Sequence, residues 1–375
     1  MAQLMNISGE QKSATYRNAG VKDAVIREYR FVTEDGLELM WTNYKRGHQD
    51  GKHIVALVHG NVVSSEMFVL PEHYNLVNFL LDNGHTDIWS LDWRTSTRFG
   101  YNQLDREWSC DDVALYDMPA AFKFLSREVG DRHIHVVAHC VGSLTLAMAI
   151  SAGLVTGIRS MTCHSVHLIT KFKNSNTAKL TLSNALLGKM GGIKRIPMHE
   201  CNQESAGQKL VQVLAEKMRE NCTDPVCNLV NFIHSSTAHG LFNHDNITRE
   251  THDRLGEIFA DLPISIYDQI MHMNLKGVAV KNETTDSQYD RLPRNYMADA
   301  HDRFNFPVLF LAGSENKIWF DSCELAYKYL SVATPANQHE LAIIPGYGHM
   351  DLFWSPKAYL DVFPKILDFL DRHRG

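Results

Sequence analysis

Cys140 stands where a strand-like run, HIHVVAH, gives way to a helix-like run, SLTLAMAISAGL, in the context VVAHCVGS. Ala138 lies two residues before it and Gly142 two residues after. A sharp strand-to-helix turn needs small residues at those places, because the two backbones approach each other there. Such a turn lifts its central side chain above the sheet edge. The positive end of the following helix then favours negative charge on the sulfur. A serine is the usual occupant of this turn. With a thiol in its place, the chemistry to expect is attack by sulfur on an acyl carbonyl. A cysteine before a helix is common as a buried residue, so the weight comes from what accompanies it and in what order.

The strand-like HIVALV ends in His59-Gly60-Asn61. In a hydrolytic turn of this kind, two backbone N–H groups stabilise the developing oxyanion. One comes from the residue after the nucleophile, Val141, and the other from the earlier loop, at Asn61 or Val62. His349, in GYGHMDLFW, follows the last strand-like run and precedes the terminal helix. It is the natural base for Cys140. The chain has 20 histidines, so its position singles it out, and His139 reads as a packing residue. An acid to orient the imidazole should follow PVLFLAG, but the text there is Gly313-Ser314-Glu315-Asn316. Asn316 in the acid's place can still accept a hydrogen bond from the imidazole. A thiol needs the acid less than a hydroxyl does, because a thiolate–imidazolium pair can form without it. Glu315 and Asp321 remain alternative orienters.

Other chemistries find less support. No HExxH or close Cys/His spacing is present, so no metal site is expected. Cys222 and Cys227 could pair or bind metal, but without a second close cysteine pair they read as ordinary thiols, and His244, His252 and His272 as unrelated histidines. No GxGxxG follows the first strands, so no dinucleotide or other cofactor is expected. The 375 residues carry a net charge of −6 without a basic stripe, which argues against nucleic acid and anionic membranes as partners. The N-terminal residues lack the pattern of a signal peptide. Seven scattered cysteines, an odd number, suit a reduced cytoplasmic protein. The stretch from Val136 to Ile158 lacks Asp, Glu, Lys and Arg and is long enough to cross a bilayer. Gly142, Gly153 and Gly157 make it read as a buried strand, a turn and a buried helix, so no membrane insertion is expected.

The elements that must position these residues alternate. A hairpin, Ala24–Val32 and Leu37–Tyr44 around TEDG, precedes strands at HIVALVHGN, DIWSLDW, HIHVVAH and IRSMTCHSV. Helices are expected at 66–81 and 111–129 and after Cys140. The fully apolar strands imply a mostly parallel sheet covered on both faces. From 169 to 304 the pattern is helical and polar, which predicts a helical cap inserted between core segments 1–168 and 305–375. The core resumes with PVLFLAG, a helix from Asp321, the strand HELAIIPG and a final helix over 356–373.

With HGN, AHCVG, GSEN and GYGH in that order, the chain resembles the α/β-hydrolase superfamily along nearly its whole length. GHMDLFW is similar to the His-x-Asp-Phe segment of gastric and lysosomal acid lipases. LDWRTS, DDVALYD and AHCVGS resemble α/β-hydrolase modules associated with GMC-type sterol oxidoreductases. The cysteine box is similar to that of polyhydroxyalkanoate synthases, which form thioesters on it. The resemblance implies an α/β-hydrolase fold with a Cys-His-Asn or Cys-His-acid triad. Cys for Ser and Asn for Asp depart from the lipase pattern.

An acyl-cysteine reached from an ordinary ester lies uphill, whereas a thioester donor makes its formation nearly neutral. Acyl transfer or thioester cleavage is therefore the expected activity, with a small acyl substrate carried on coenzyme A or a carrier protein. Ester or lactone hydrolysis and a catalytically silent binding module are the alternatives.

Overall fold

The structure, a computed structural model, describes residues 18–47, 51–99, 107–172, 194–196, 209, 213, 215–217, 222–235, 240–298 and 300–374. Ten strands are present among them: β1 (Val25–Val32), β2 (Glu38–Lys45), β3 (His53–Val58), β4 (Asp87–Asp92), β5 (His133–His139), β6 (Ile158–His164), β7 (Arg195–Ile196), β8 (Leu262–Pro263), β9 (Val308–Gly313) and β10 (Glu340–Ile344). Eight form one sheet in the order β1-β2-β4-β3-β5-β6-β9-β10. In this sheet β2 pairs antiparallel with both β1 and β4, and its other pairings are parallel. The burial follows the sequence. Strands β3, β4, β5, β6 and β9 read as apolar runs and are buried along nearly all their length, as strands covered on both faces must be. The edge strand β1 alternates instead between exposed and half-buried residues.

The main helices are α1 (Leu76–Asp82), α2 (Met118–Val129), α3 (Cys140–Ser151), α4 (Pro225–His234), α5 (Ile264–Lys276), α6 (Ser322–Ala333) and α7 (Phe363–Arg372). The charge-free stretch divides into β5, a turn at Cys140 and α3, as expected. Among the described residues no helix is long and apolar enough to cross a membrane.

Three helices differ from the sequence expectation, each through proline. The helix expected over 66–81 is a single turn at Ser65–Phe68, then α1. Pro71 interrupts the run, and Asn75 caps α1 by accepting the Asn78 N–H at 3.0 Å. The helix expected over 111–129 begins at Cys110 and passes through a π turn at Val113–Asp117 before α2. The wider turn accommodates Pro119, which has no N–H to give the preceding turn. The terminal helix is broken at Val362, just before Pro364, into Ala358–Asp361 and α7.

The inserted segment packs over the C-terminal ends of the strands. Its described part contains α4, α5, several short helical turns and the two-stranded β7–β8 pairing. Of the expected helical runs, KFKNSNTAKLTLSNALLGKM lies almost wholly outside the described residues. The insertion is fastened to the loop after β3 by the Ala260 N–H, which donates to the Val62 carbonyl at 2.8 Å.

The sequence motifs LDWRTS and DDVALYD meet in the core. The buried Arg94 donates through its backbone N–H and its guanidinium to Asp117, at 2.5–3.0 Å. Neither charge reaches water, so each depends on the other to be tolerated there.

Candidate active site

Cys140 sits at the junction of β5 and α3 with φ of +52°, a left-handed conformation that a non-glycine residue adopts at a cost. The neighbours enforce it. A Cβ on Gly142 would fall 2.0 Å from the His59 carbonyl oxygen, and one on Gly60 would fall 2.7 Å from the His139 ring. The turn therefore exists only because strand and helix can touch there. Cys140 itself is half-buried and opens on a pocket.

The sulfur is met by the backbone N–H groups of Val141 and Asn61. Of the two candidates in the earlier loop, Asn61 rather than Val62 has its N–H directed there. Val62 has φ of +55°, and its carbonyl is occupied by Ala260. The loop is held from below by His59. Its Nδ1 bonds the Gly60 carbonyl at 2.6 Å, and its ring stacks on Trp93, whose indole N–H donates to the His59 carbonyl at 3.0 Å. Burial pushes the Cys140 thiol up to about 11, against the pull of the Trp319 indole and the two backbone N–H groups. Burial also holds His349 well below its ordinary 6.5. The resting pair is thus a neutral thiol and a neutral imidazole. Proton transfer from the thiol must then accompany attack.

His349 is brought to the site by the loop after β10, and one of its ring nitrogens lies within 4.8 Å of the Cys140 sulfur. The loop is seated by close backbone approach. A Cβ on Gly313 would lie 2.1 Å from the Tyr347 carbonyl oxygen. Asp351 accepts the Gly348 N–H at 2.9 and 3.0 Å, and Leu241 in the insertion accepts the N–H groups of His349 and Met350 at 3.2 and 2.9 Å.

The orienting partner is not the one expected. The His349 Nδ1 lies 2.9 Å from the Ser165 hydroxyl, and Asn316 donates its Nδ2 to that same hydroxyl at 3.0 Å. Asn316 thus acts at one remove, with Ser165 between it and the imidazole. Its own Oδ1 accepts the Ile318 N–H instead. Glu315 is exposed and Asp321 caps α6 from a left-handed conformation. Among the described residues, neither they nor any other carboxylate bonds to His349. Ser165, in SVHL after β6, is the functional residue that sequence reasoning missed. Its φ of +73° was the available sign, but only the fold reveals it.

Ser165 belongs to a chain of buried groups whose proton positions follow from one end. The His139 Nε2 lies 3.2 Å from the Met350 sulfur, a thioether that can only accept, so that nitrogen carries the proton. The His139 Nδ1 must then accept from the His164 Nδ1–H, 2.6 Å away. The His164 Nε2 is left to accept from the Ser165 hydroxyl at 3.3 Å. With its proton spent, the Ser165 oxygen accepts from both Asn316 and the His349 Nδ1–H. The His349 Nε2 is therefore the unprotonated nitrogen, the one that a base facing Cys140 requires. These assignments come from completing the hydrogen bonds. They need neutral rings, and burial supplies them: His164 is pushed down to about 3, and His139 lies well below the ordinary value. His139, expected only to pack, also transmits this tautomer.

The pocket wall is apolar, with Phe172, Leu241, Phe259, Tyr267, Ile270 and Ile318 among its residues. One buried polar atom in it, the Asn61 Oδ1, has no protein hydrogen-bond partner and could meet a polar atom of a bound molecule. His139, Cys140 and His349 could together face a metal ion, but ligation would occupy the nucleophile and the base. A second group, Cys222, Cys227, His244 and His252, also converges, outside this pocket. The sequence expectation of ordinary thiols and unrelated histidines does not describe that arrangement.

Residues 54–195 match the family described as alpha/beta hydrolase fold. Rat gastric triacylglycerol lipase is 26% identical over 178 residues, which make up 44% of this chain and 45% of that enzyme. The chain thus spans under half the length of that relative. Bovine gastric triacylglycerol lipase is 22% identical over 91% of this chain and 87% of its own length. A thermostable carboxyl esterase from Bacillus coagulans superposes with a TM-score of 0.56 at 13% identity, covering 94% of this chain and 99% of that one. These likenesses and the strand order agree on the fold, with lipases and esterases as relatives.

Proposed function

With the chain a member of the α/β-hydrolase superfamily, we propose that it is an acyl-group enzyme working through a thioester on Cys140. The observation that carries this reading is the placement of one sulfur between the N–H groups of Asn61 and Val141, with the His349 Nε2 left as a proton acceptor beside it.

The donor is an apolar acyl thioester, on coenzyme A or a carrier protein. Its carbonyl carbon is attacked by the Cys140 sulfur while the thiol proton passes to the His349 Nε2. The oxyanion takes the two N–H groups that the sulfur faces at rest. Collapse breaks the carbon–sulfur bond of the donor, and the departing thiol takes the proton back from His349. Water, an alcohol or an amine then loses a proton to His349 as it attacks the acyl-cysteine; collapse breaks the Cys140 carbon–sulfur bond, the sulfur takes that proton back, and the acid, ester or amide is released. Exchange of one thioester for another is nearly neutral in free energy, which suits sulfur at this position. The neutral Ser165 beside the imidazole suits it too. A thiol gives up its proton more readily than an alcohol does, and less charge stabilisation is asked of the third residue. A free nucleophilic thiol also calls for reducing surroundings, and the cytoplasm is the location we propose.

Ester hydrolysis is a second reading, favoured by the lipase and esterase names of the relatives. Intact-mass measurement after mixing with acyl thioesters and with aryl esters separates the two. A Cys140 adduct formed from thioesters, and cleared either by water or by an added alcohol or amine, is the expected result. Turnover of esters with no adduct from any thioester favours the second reading. Full turnover by Cys140→Ala overturns both.

A further inference from the structure

Cys222 lies in the loop before α4, and Cys227 in its first turn. His244 belongs to a short 3-10 turn, His244–Asn246, and His252 to the short helix Arg249–Asp253. The Cys222 sulfur is 3.4 Å from the His252 Nε2, and the Cys227 sulfur is 3.3 Å from the His244 Nε2. All four atoms lie within 4.8 Å of one another. We propose that these two cysteines and two histidines hold a zinc ion that knots together the turns of the inserted segment that contact the loop carrying His349.

The donor set and its spacing both fit. Zinc takes sulfur at about 2.3 Å and imidazole nitrogen at about 2.0–2.1 Å in a tetrahedron, which puts neighbouring sulfur and nitrogen atoms about 3.5 Å apart. Two thiols that lose their protons on binding exactly balance the charge of a divalent ion, so the knot is neutral in a half-buried place. Each sulfur is also met by an N–H donor of the kind a thiolate accepts. The Asp224 backbone lies 3.4 Å from the Cys222 sulfur, and the Asn231 Nδ2 lies 3.5 Å from that of Cys227. Both histidines present the same nitrogen, Nε2, and Phe242 packs against both rings. Three of the four ligands are fixed by a local cap: Asp224 for the turn with Cys227, Asn243 for that with His244 and Thr248 for that with His252.

Short connections lead from this cluster to the catalytic loop. Asn231 donates to the Cys227 carbonyl at 2.9 Å and accepts the Leu241 N–H at 2.9 Å. Leu241 in turn accepts the N–H groups of His349 and Met350. Asn246, two residues from His244, donates to the Gly346 carbonyl at 2.8 Å and to Asp351 at 2.7 Å.

The test is the metal content of the full chain purified without metal-affinity steps or chelators. About one zinc per chain is expected, with X-ray absorption showing two sulfur and two nitrogen neighbours. Cys222→Ser and Cys227→Ser should lose the ion, and Cys140→Ala should keep it. If either serine variant fails to fold, cobalt substitution of the unaltered chain still reports a tetrahedral site with two thiolates by its visible spectrum. The proposal is overturned by a chain that holds no more than about a tenth of an equivalent after incubation with zinc and desalting. Zinc lost from Cys140→Ala but kept by Cys222→Ser would also overturn it, as would a chain lighter by two hydrogens with Cys222 and Cys227 disulfide-bonded. Metal content is read independently of turnover, so its failure leaves the acyl-cysteine reading intact.

Discussion

Cys140 with His349, and Cys222 and Cys227 with His244 and His252, use the same two side-chain types in opposite ways. At the first, one thiol opens on an apolar pocket, its base has a neighbour that fixes the tautomer, and burial keeps both neutral. At the second, four donors converge on one point, and the sulfurs are met by N–H groups. A nucleophile needs a free approach and a nearby proton acceptor, whereas a metal site needs its donors closed on themselves. Geometry, not residue type, separates the two.

The comparison can be broken by variants that affect one cluster and spare the other. Cys140→Ala should have the largest effect. Acyl-adduct formation and turnover should fall by about a thousandfold or more in stopped-flow and mass measurements, with zinc content unchanged. Ser165→Ala comes next. It leaves the His349 Nδ1–H, the Asn316 amide and the His164 Nε2 without their shared partner, and turnover should fall by roughly 10- to 100-fold. Ser165→Thr, which keeps the hydroxyl, should recover part of that loss where its methyl group fits. The smallest change is expected of Asn246→Ala, which cuts the tie from the second cluster to Gly346 and Asp351. A few-fold loss in turnover should accompany an unchanged zinc content.

Acid sharpens the contrast. His59 and His339 are pushed down to about 4, and His135, His164 and His167 to about 3, all by burial. Unfolded, each would bind a proton near 6.5. Their contribution to stability is therefore complete above about pH 6.5 and is lost as pH falls from there toward 4 and 3, at about 1.4 kcal/mol per pH unit for each. Thermal midpoints should drop steeply between pH 7 and pH 5. Over the range in which the chain stays folded, the acylation rate should show no histidine inflection near 6.5, because His349 stays neutral.

The sheet and the nucleophile turn were legible in the sequence because both rest on local pattern. Apolar runs of strand length, and small residues two before and two after Cys140, follow directly from covered strands and touching backbones. His349 was legible by its place after the last strand. The third residue was not. Asn316 occupies the expected position, but Ser165, far away in sequence, enters from the end of β6 and takes the imidazole. The cysteine–histidine cluster was missed for a similar reason. Its members are five and eight residues apart within each pair, with a longer gap between pairs, and only the packing of short turns closes them. Helix ends failed where proline acted, at Pro71, Pro119 and Pro364.

The contacts at Gly142 and Gly60 bear on how such a chain can change over generations. Both positions are pinned, since any side chain there would push β5 and α3 away from the loop after β3. The central position carries no such restraint beyond its left-handed backbone. Neither contact involves the sulfur of Cys140, so the glycines make no choice between sulfur and oxygen there. A lineage could thus pass between thiol and hydroxyl chemistry by a single replacement, with the surrounding glycines as the fixed inheritance.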